Sequence, residues 1–429
     1  MENSVKNLIQ FIDHSPSCFH VIENAKKQFL EHGFIQLEEK EHWNLEEGKS
    51  YFVERNGSSM IAFHLPKKDF QGFHIVASHS DSPTYRIKEQ PEMSVEKHYT
   101  KLNIERYGGM IPETWFDRPL SVAGRIIIEE NGQIKDQLVN VDRDLMIIPN
   151  LAIHMSRSSN ESKQLNPQKD LLPLCGGNLT KDGFEEMIAK EAGVEKEDIL
   201  SYDLFLYNRM GGTTLGINEE FVASPKLDDL ECAYSSIEGM LNAKLSKDYV
   251  TVCAVFDNEE VGSGTKQGAG STFFPEVLKR ISYLCGKNEE EYYMAVADSF
   301  MLSADNAHAV HPNYQDKTDP TNRPYINEGI VLKYNASQKY TTDANSAALV
   351  KYLCKKEKIK CQVFFNRSDM LGGSTLGNIL TGQVSIKAAD IGLPQLSMHS
   401  TYETAGCKDL DDMITLMGSF YELGKEVQI

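Results

Sequence analysis

The feature that most constrains the fold is an eight-residue apolar run, residues 249–256 (YVTVCAVF), which ends directly at acidic residues. A near-continuous apolar run of this length is typical of a strand that is buried on both faces of a sheet. The run leads into Asp257-Asn-Glu259-Glu260, so two adjacent carboxylates are expected at the end of a central strand. The chain is therefore expected to fold around a helix-covered sheet with charged groups at one edge.

Alternating helix and strand patterns extend this sheet toward the C-terminus. Apolar residues recur at helical spacing in four segments and form short strand-like runs in two others. The expected helices are 228–243, 276–285, 343–356 and 409–427, and the expected strands are 292–297 and 361–365. Such alternation predicts a sheet covered by helices on both faces.

The N-terminal part is expected to join the same sheet. Two short helices are predicted within residues 4–32, separated by Ser15-Pro16-Ser17, and strands are predicted at 50–54, 60–64 and 73–77. From about 90 to 220, short β-like runs alternate with turn residues, which predicts a mainly β unit. The prediction is an α/β fold, a three-layer α/β/α sandwich around a mixed sheet. Its main domain comprises residues 1–88 and 221–429, and residues 89–220 form an inserted β-rich domain for dimerisation or larger assembly.

Composition excludes several classes of partner. The formal net charge is −18, which repels nucleic acid and anionic membrane surfaces at long range. No stretch approaches the roughly 20 consecutive apolar residues that a membrane-spanning helix needs, and the polar N-terminus does not resemble a secretory signal. The eight cysteines are scattered without a CxxC pair, which is typical of reduced thiols and predicts a cytoplasmic protein.

Histidine and carboxylate residues follow the expected strands at several points. These segments are His79-Ser-Asp81, Lys226-Leu-Asp228-Asp229, Asp257-Asn-Glu259-Glu260, Ser303-Ala-Asp305 and Met398-His399-Ser400. Taken singly, each is more often a cap or a hydrogen-bonded structural residue. Two like charges at a buried strand end, however, repel each other and lose hydration unless a cation compensates them. Two histidines with three carboxylates also suit two metal ions that share one bridging carboxylate.

Six ordered motifs resemble the aspartyl aminopeptidase family, one branch of the co-catalytic two-zinc peptidases. The motifs are ASHSDSP, SPKLDDL, DNEEVGS, SADNAHAVHPNY, RSDMLGGSTLGNIL and LSMHS, and the resemblance to a bacterial-type member covers nearly the whole chain. Tyr107-Gly-Gly and Thr114-Trp-Phe-Asp117-Arg118 extend it into the inserted region. The resemblance implies an aminopeptidase that removes N-terminal Asp or Glu from peptides. It also implies two divalent metal ions, zinc with cobalt or manganese as alternatives, and a homo-oligomer, commonly a dodecamer built from dimers.

The resemblance also assigns roles to matching residues of the site. His79 and Asp305 would bind one metal ion, Glu260 and His399 the other, and Asp228 would bridge the two. Glu259 would be the general base. Asp81 would orient His79, since a histidine ligand usually donates its second ring N–H to a carboxylate or carbonyl group.

The resemblance implies that three further residues bind substrate. Lys333, in the apolar run GIVLKYN, would recognise an acidic side chain, with Tyr340 nearby; the simpler interpretation of Lys333 is a strand lysine that faces solvent. His154, in LAIH, would enter the active site of a neighbouring subunit; the simpler interpretation is a half-buried histidine on an amphipathic segment. Two alternative functions stay open: a two-metal aminopeptidase that prefers neutral residues, and a catalytically idle assembly or binding protein.

Overall fold

The computed structural model describes residues 2–156, 164–178 and 182–427, which form twenty strands and ten α-helices. The strands are β1 (Ile35–Leu37), β2 (Lys49–Arg55), β3 (Ser59–Leu65), β4 (Phe73–His79), β5 (Thr84–Val95), β6 (Tyr99–Tyr107), β7 (Leu120–Glu130), β8 (Gln133–Asn140), β9 (Leu174–Gly176), β10 (Ile199–Asn208), β11 (Thr213–Leu215), β12 (Phe221–Ser224), β13 (Val250–Phe256), β14 (Phe300–Ala304), β15 (Ala307–His308), β16 (Ile330–Tyr334), β17 (Cys361–Phe365), β18 (Lys387–Gly392), β19 (Pro394–Leu396) and β20 (Glu403–Gly406). The helices are α1 (Glu2–Asp13), α2 (Cys18–Glu31), α3 (Pro167–Asp170), α4 (Gly183–Ala192), α5 (Leu227–Asn242), α6 (Phe273–Leu284), α7 (Glu289–Ala297), α8 (Ala344–Glu357), α9 (Leu376–Gln383) and α10 (Cys407–Tyr421).

A nine-stranded mixed sheet runs through the centre of the catalytic part. Its strand order is β1-β2-β3-β13-β4-β14-β18-β16-β17. The four middle strands, β13, β4, β14 and β18, run parallel to one another, whereas β3 and β16 are antiparallel to their inner neighbours. The carboxyl ends of the middle strands consequently meet at one edge of the sheet.

Strand β13, the apolar run identified in the sequence, has side chains in the cores on both sides of this sheet. Cys253 and Val255 pack with α1, α2, α5, α8 and α10. Val252 and Ala254 pack on the opposite face with α6, α7 and α9. Alternate side chains of a strand point to opposite faces, so one strand serves two cores only when helices cover both sides. The predicted three-layer α/β/α fold is confirmed.

A second, six-stranded sheet has the order β8-β7-β10-β5-β6-β9 and is antiparallel throughout. Its strands lie in the chain between β4 and β13, and they surround a core of their own that includes Tyr85, Ile104, Val122 and Leu204. This inserted sheet covers much of the region for which a β-rich domain is predicted, residues 89–220. Its first strand begins earlier, at Thr84, and the division of the chain into two domains stays a prediction.

A third sheet, with the order β11-β12-β20-β19-β15, was not anticipated from the sequence. Its strands are two to four residues long, too short to give a clear periodic pattern. It joins the segment before α5 to the segment before α10 through the pairing of β12 with β20. No helix among the described residues is long and apolar enough to cross a membrane.

Two predicted elements were wrong. Residues 292–297, predicted as a strand, belong to helix α7, because Asn288 and Glu291 form a reciprocal capping box that starts a helix before the apolar residues begin. The strand of this region is β14, which follows directly. The C-terminal helix, predicted to reach residue 427, ends at Tyr421, three residues before Gly424.

Candidate metal centre

Three neighbouring strands of the central sheet deliver residues of the predicted site. Strand β4 ends at His79, β13 leads to Glu259 and Glu260, and β14 leads to Asp305. Because β4 pairs in parallel with both β13 and β14, these ends lie side by side. The crevice at the carboxyl ends of parallel strands is the usual location of ligand sites in open α/β sheets.

The remaining two predicted ligands come from segments next to the third sheet. Asp228 lies at the start of α5, shortly after β12, and His399 lies in the turn between β19 and β20. Glu403, the first residue of β20, accepts hydrogen bonds from the main-chain N–H groups of both. The distances are 3.0 Å from Asp228 N and 2.7 Å from His399 N. One buried carboxylate therefore holds the two segments against each other.

The side chains form two groups that share Asp228. One group contains His79, Asp228, Asp229 and Asp305, the other contains Asp228, Glu260 and His399, and the potential ligand atoms in each lie within 4.8 Å of one another. His79 Nε2 lies 3.4 Å from Asp228 Oδ1, and His399 Nε2 lies 3.3 Å from Asp228 Oδ2. Each oxygen of Asp228 thus faces a different histidine. A further overlapping group joins His79, Glu259 and Glu260.

The donor set fits divalent metal ions. Asp228 Oδ1, Asp229 Oδ1 and Glu260 Oε1 are buried and have no hydrogen-bond partner within the described part of the chain. A buried carboxylate oxygen without a donor carries a large desolvation cost, which a cation would offset. Imidazole nitrogen together with carboxylate oxygen is a ligand combination that zinc accepts, with cobalt and manganese as alternatives.

Burial also opposes ionisation of these carboxyl groups. It raises the pKa of Glu259 to about 8 and, with the Asp81 charge, raises the pKa of Asp257 to about 7. Asp228 differs, because the two adjacent imidazoles of His399 and His79 outweigh its burial and lower its pKa below the ordinary range. So many carboxyl groups in one buried place require positive charge to remain ionised together.

Asp81 contacts more of the site than its predicted partner alone. His79 Nδ1 lies 3.1 Å from the main-chain oxygen of Asp81 and 3.4 Å from its Oδ1, so Nε2 is the ring nitrogen directed toward the other carboxylates. The Asp81 side chain also accepts hydrogen bonds from the main-chain N–H groups of Glu259 (3.1 Å) and Glu260 (3.2 Å). It orders the acidic turn as well as the histidine.

Lys333 lies in β16 and is only 2% exposed. Its ammonium donates hydrogen bonds to the main-chain oxygens of Asp305 (2.7 Å) and Asn306 (3.2 Å), and lies 5.2 Å from the centre of the Tyr340 ring. Burial favours the neutral amine, but the nearby Asp305 charge raises the pKa of Lys333 above its usual value. The side chain does not face solvent; it is a charged group directly behind Asp305.

His154 lies in a short 3₁₀ turn, Ile153–Met155, of the inserted part. Its side chain is exposed, not half-buried, and three exposed apolar side chains surround it in sequence: Leu151 (52%), Ile153 (47%) and Met155 (77%). No hydrogen bond or ion pair connects His154 with the acidic cluster within the described residues of this chain. His154 is separate from the residues that the fold brings together here.

Sequence reasoning missed three residues of the site: Asp229, Glu403 and Tyr107. Asp229 Oδ2 accepts a hydrogen bond from His79 N at 3.0 Å, and its position beside Asp228 in KLDDL was an available indication. Glu403 lies four residues after His399, a spacing that carries no pattern by itself. Tyr107, from the six-stranded sheet, donates a hydrogen bond to Asp81 Oδ2 at 2.6 Å; it lies in the motif Tyr107-Gly-Gly of the family resemblance, but no role was predicted for it.

Comparison with known sequences identifies close relatives. The model of a family described as aminopeptidase I zinc metalloprotease (M18) matches residues 11–421. A protein of Clostridium acetobutylicum named Probable M18 family aminopeptidase 2 is 45% identical over 431 residues, covering 97% of this chain and 98% of the relative. A protein of the same name from Pseudomonas aeruginosa strain UCBPP-PA14 is 37% identical over 424 residues, covering 97% of each chain.

Solved structures of similar chains have the same fold. A cryo-EM structure described as the Ape4 and Nbr1 complex contains a chain with a TM-score of 0.95 and 36% identity, covering 98% of this chain and 85% of that one. A structure described as the S. cerevisiae mApe1 dodecamer has a TM-score of 0.85 and 26% identity, covering 98% and 97%.

Proposed function

Since this chain belongs to the M18 family and is a zinc metalloaminopeptidase, we propose that it removes N-terminal Asp or Glu residues from peptides with the help of two metal ions. The observation that carries the proposal is the pair of ligand groups that meet at Asp228. His79 and Asp305 would hold one ion and Glu260 and His399 the other. Asp228 would contact both ions through its two oxygens.

Glu259 is the proposed general base. When bound, the metal ions supply Lewis-acid polarisation of the scissile carbonyl and of a water molecule. As the water oxygen attacks the carbonyl carbon, the Glu259 carboxylate accepts a proton from it, and it then delivers this proton to the leaving amine nitrogen as the C–N bond breaks. Without metal, burial raises the pKa of Glu259 to about 8; bound cations would favour the carboxylate form, which is the form that accepts the proton.

Lys333 is the proposed source of the acidic preference. The chain carries a net charge of −18, so an acidic substrate needs a local cation to offset the overall field. Lys333 supplies a buried positive charge beside the Asp305 segment, and Tyr340 lies against it. A substrate carboxylate near this ammonium would lie in a low-dielectric environment next to an opposite charge. The attraction within an ion pair is strong in such an environment. If the enzyme instead prefers neutral residues, Lys333 would serve only to hydrogen-bond the Asp305 segment.

We further propose that the chain assembles into a homo-oligomer in which His154 enters the site of a neighbouring subunit. The exposed apolar residues on both sides of His154 support an interface there, and a dodecamer is the assembly named for the yeast relative. The eight cysteines are free thiols, which is compatible with the predicted cytoplasmic location.

The test is hydrolysis of a panel of aminoacyl chromogenic substrates before chelation, after chelation and after return of zinc, cobalt or manganese. We expect Asp and Glu substrates to be cleaved fastest, and chelation to abolish all cleavage. Glu259→Gln is the decisive variant, because it removes the base but keeps a similar shape. It should bind zinc like the wild type and lose at least about 10²-fold in kcat.

Four results would contradict the proposal. An unchanged rate for Glu259→Gln would refute the base, and activity that survives complete chelation would refute the metal requirement. Faster cleavage of Leu than of Asp would favour the neutral-preferring alternative. Absence of cleavage of every substrate by the zinc-loaded wild type would favour an idle assembly protein.

A further inference from the structure

We propose that Tyr107, a residue of the inserted sheet, is a positioning residue of the metal centre that acts through Asp81. The proposal rests on the ligand roles proposed above for His79 and Glu260. It goes beyond them because it makes the insertion part of the catalytic apparatus within a single subunit.

The phenol of Tyr107 is held in one orientation. Tyr107 is the last residue of β6, and its hydroxyl donates to Asp81 Oδ2 at 2.6 Å. The phenol oxygen of Tyr107 also accepts a hydrogen bond from Asn258 Nδ2 at 2.8 Å. Because Asn258 donates to the phenol, the phenol proton is directed toward Asp81. Burial, together with the charge of Asp81, raises the pKa of Tyr107 well above its ordinary value, so the group remains a donor.

Asp81 connects Tyr107 both to His79 and to the acidic turn with Glu259 and Glu260. Its Oδ1 lies 3.4 Å from His79 Nδ1 and accepts from the main chain of Glu259, and its Oδ2 accepts from the main chain of Glu260. Removal of the phenol hydroxyl would leave Oδ2 with the Glu260 N–H as its remaining donor among these contacts. The carboxylate would then be freer to rotate, and rotation would change the bonds to His79 and to the acidic turn together.

A cavity adjoins this carboxylate. Asp81, Tyr107 and Asn258 line a space of about 320 Å³ between the N-terminal helices, the inserted sheet and the catalytic part. The space is large enough for water molecules, and many of its lining groups are polar. Without the hydroxyl, water from this cavity could solvate Asp81 but could not fix its orientation. A water molecule is mobile, whereas the tyrosine side chain is held in place by packing. The ring of Tyr107 packs edge-on against Phe205 with centroids 5.7 Å apart.

The chain after Tyr107 continues along the second ligand group. A Cβ on Gly108, which has φ +78°, would lie 3.1 Å from Glu260 Cβ, and one on Gly109 would lie 3.7 Å from His399 Nδ1. Ile111 N then donates a hydrogen bond to the main-chain oxygen of His399 at 3.0 Å. The segment after Tyr107 is therefore in contact with two ligands of the second group, and Tyr107 is its anchor on Asp81.

The test compares Tyr107→Phe with Tyr202→Phe. Tyr202 is a matched control, because it is a buried tyrosine of the same sheet whose hydroxyl also donates hydrogen bonds, to the main-chain oxygens of Lys88 (2.8 Å) and Glu89 (2.9 Å). Zinc affinity of the chelated protein is measured by competition with a fluorescent chelator, and kcat and KM are measured on the best substrate. We expect Tyr107→Phe to weaken zinc binding by roughly 10- to 100-fold and to lower kcat, with KM within about twofold.

A double-mutant cycle with Asp81→Asn separates positioning from a general loss of structure. If Tyr107 acts through Asp81, Tyr107→Phe has little further effect on zinc affinity in the Asp81→Asn background. Additive effects would overturn the proposal, as would equal zinc affinity in Tyr107→Phe and Tyr202→Phe. The zinc titration does not require peptidase activity, so failure of the proposed function would be seen separately, as a zinc-loaded wild type that cleaves nothing.

Discussion

Glu259 and Glu260 are neighbours in the chain but lie in a 3₁₀ turn, Glu259–Val261, rather than in the strand itself. Successive side chains in a 3₁₀ helix are separated by about 120°, so the two carboxylates point in different directions. Asn258 starts the turn with φ +63°, a conformation that asparagine adopts more readily than most residues. Glu260 Oε2 lies 3.5 Å from His399 Nε2, whereas Glu259 has no such partner in the second ligand group. This local geometry permits one residue to bind metal and its neighbour to carry a proton.

Glu403→Gln should weaken zinc binding, because the variant replaces one carboxylate oxygen with an NH₂ group that faces a main-chain N–H. Either the Asp228 or the His399 segment loses its acceptor. We expect zinc affinity to fall by roughly 10- to 100-fold in a chelator competition. Glu422→Gln is the control, since Glu422 also accepts a main-chain N–H, from Lys244, at a site remote in the sequence from the ligands. Equal affinity of the two variants would show that Glu403 does not position the ligands.

Lys333→Ala should reduce cleavage of Asp and Glu substrates more than cleavage of Leu substrates. The hydrogen bonds of Lys333 to the Asp305 segment add a loss that is common to all substrates, so the informative quantity is the ratio of kcat/KM for Asp to that for Leu. We expect this ratio to fall by about 10-fold or more. A tenfold change corresponds to roughly 1.4 kcal/mol, the free energy that one charged hydrogen bond contributes. An unchanged ratio would mean that Lys333 only stabilises the Asp305 segment and does not recognise the substrate side chain.

The five proposed ligands, the base and Asp81 could all be selected from the sequence, because they lie in short motifs at or near the ends of strands. The roles proposed for Glu403 and Tyr107 could not be predicted, since each forms hydrogen bonds between segments far apart in the chain. The solvent-facing interpretation of Lys333 was wrong for a related reason. Whether a strand lysine is buried depends on what covers the strand, and this is decided by tertiary packing.

At the scale of elements, strong periodicity identified most helices and the central strands, and weak periodicity produced the errors. Helix α5 illustrates a clear pattern, since the predicted 228–243 differs from Leu227–Asn242 by one residue at each end. Helix α7 was predicted as a strand because YYMAV has the composition of a strand. The capping box that determines the helix lies outside that run. The third sheet was missed because its short strands depend on pairing with distant partners.

Helix α5 also contains a buried glutamate that makes stability depend on pH. Burial raises the pKa of Glu231 to about 8, so the folded protein keeps a proton there that the unfolded chain releases above about pH 4.5. The wild type therefore loses stability as pH rises from about 4.5 to 8, by at most about 5 kcal/mol. Glu231→Gln cannot titrate, and its amide oxygen can still accept the hydrogen bond from Asn306.

We therefore expect the melting temperature of Glu231→Gln, relative to the wild type, to be higher at pH 8.5 than at pH 5. Glu238→Gln, a change at a partly exposed position of the same helix, should show no comparable trend. A constant difference between Glu231→Gln and wild type across this pH range would mean that Glu231 is ionised in the folded protein.

At the scale of the whole molecule, the proposed ligand set joins parts of three sheets. The central sheet supplies His79, Glu260 and Asp305, and segments beside the third sheet supply Asp228 and His399. The inserted sheet reaches Asp81, next to His79, through the hydroxyl of Tyr107. His154 extends the same logic to the assembly, because its exposed position on the insertion leaves it available to another subunit.

Mixed oligomers of His154→Ala and Glu259→Gln test this arrangement. Each variant alone should have little activity. In a dimer with one chain of each kind, the site with an intact Glu259 receives His154 from the partner, so activity should return. Random pairing of equal amounts predicts about a quarter of wild-type activity, because half of the dimers are mixed and each has one complete site. Mixtures with no more activity than the separate variants would show that His154 does not serve a neighbouring site.

The wide separation of the proposed ligands along the chain has a consequence for biosynthesis. The first, His79, and the last, His399, are 320 positions apart, and the carboxylates lie between them. A nascent chain emerging from the ribosome therefore has an incomplete ligand set for the second ion until the segment with His399 has emerged. Products truncated before that point would lack a ligand of that ion, and the amount of zinc bound per chain would distinguish finished chains from incomplete ones.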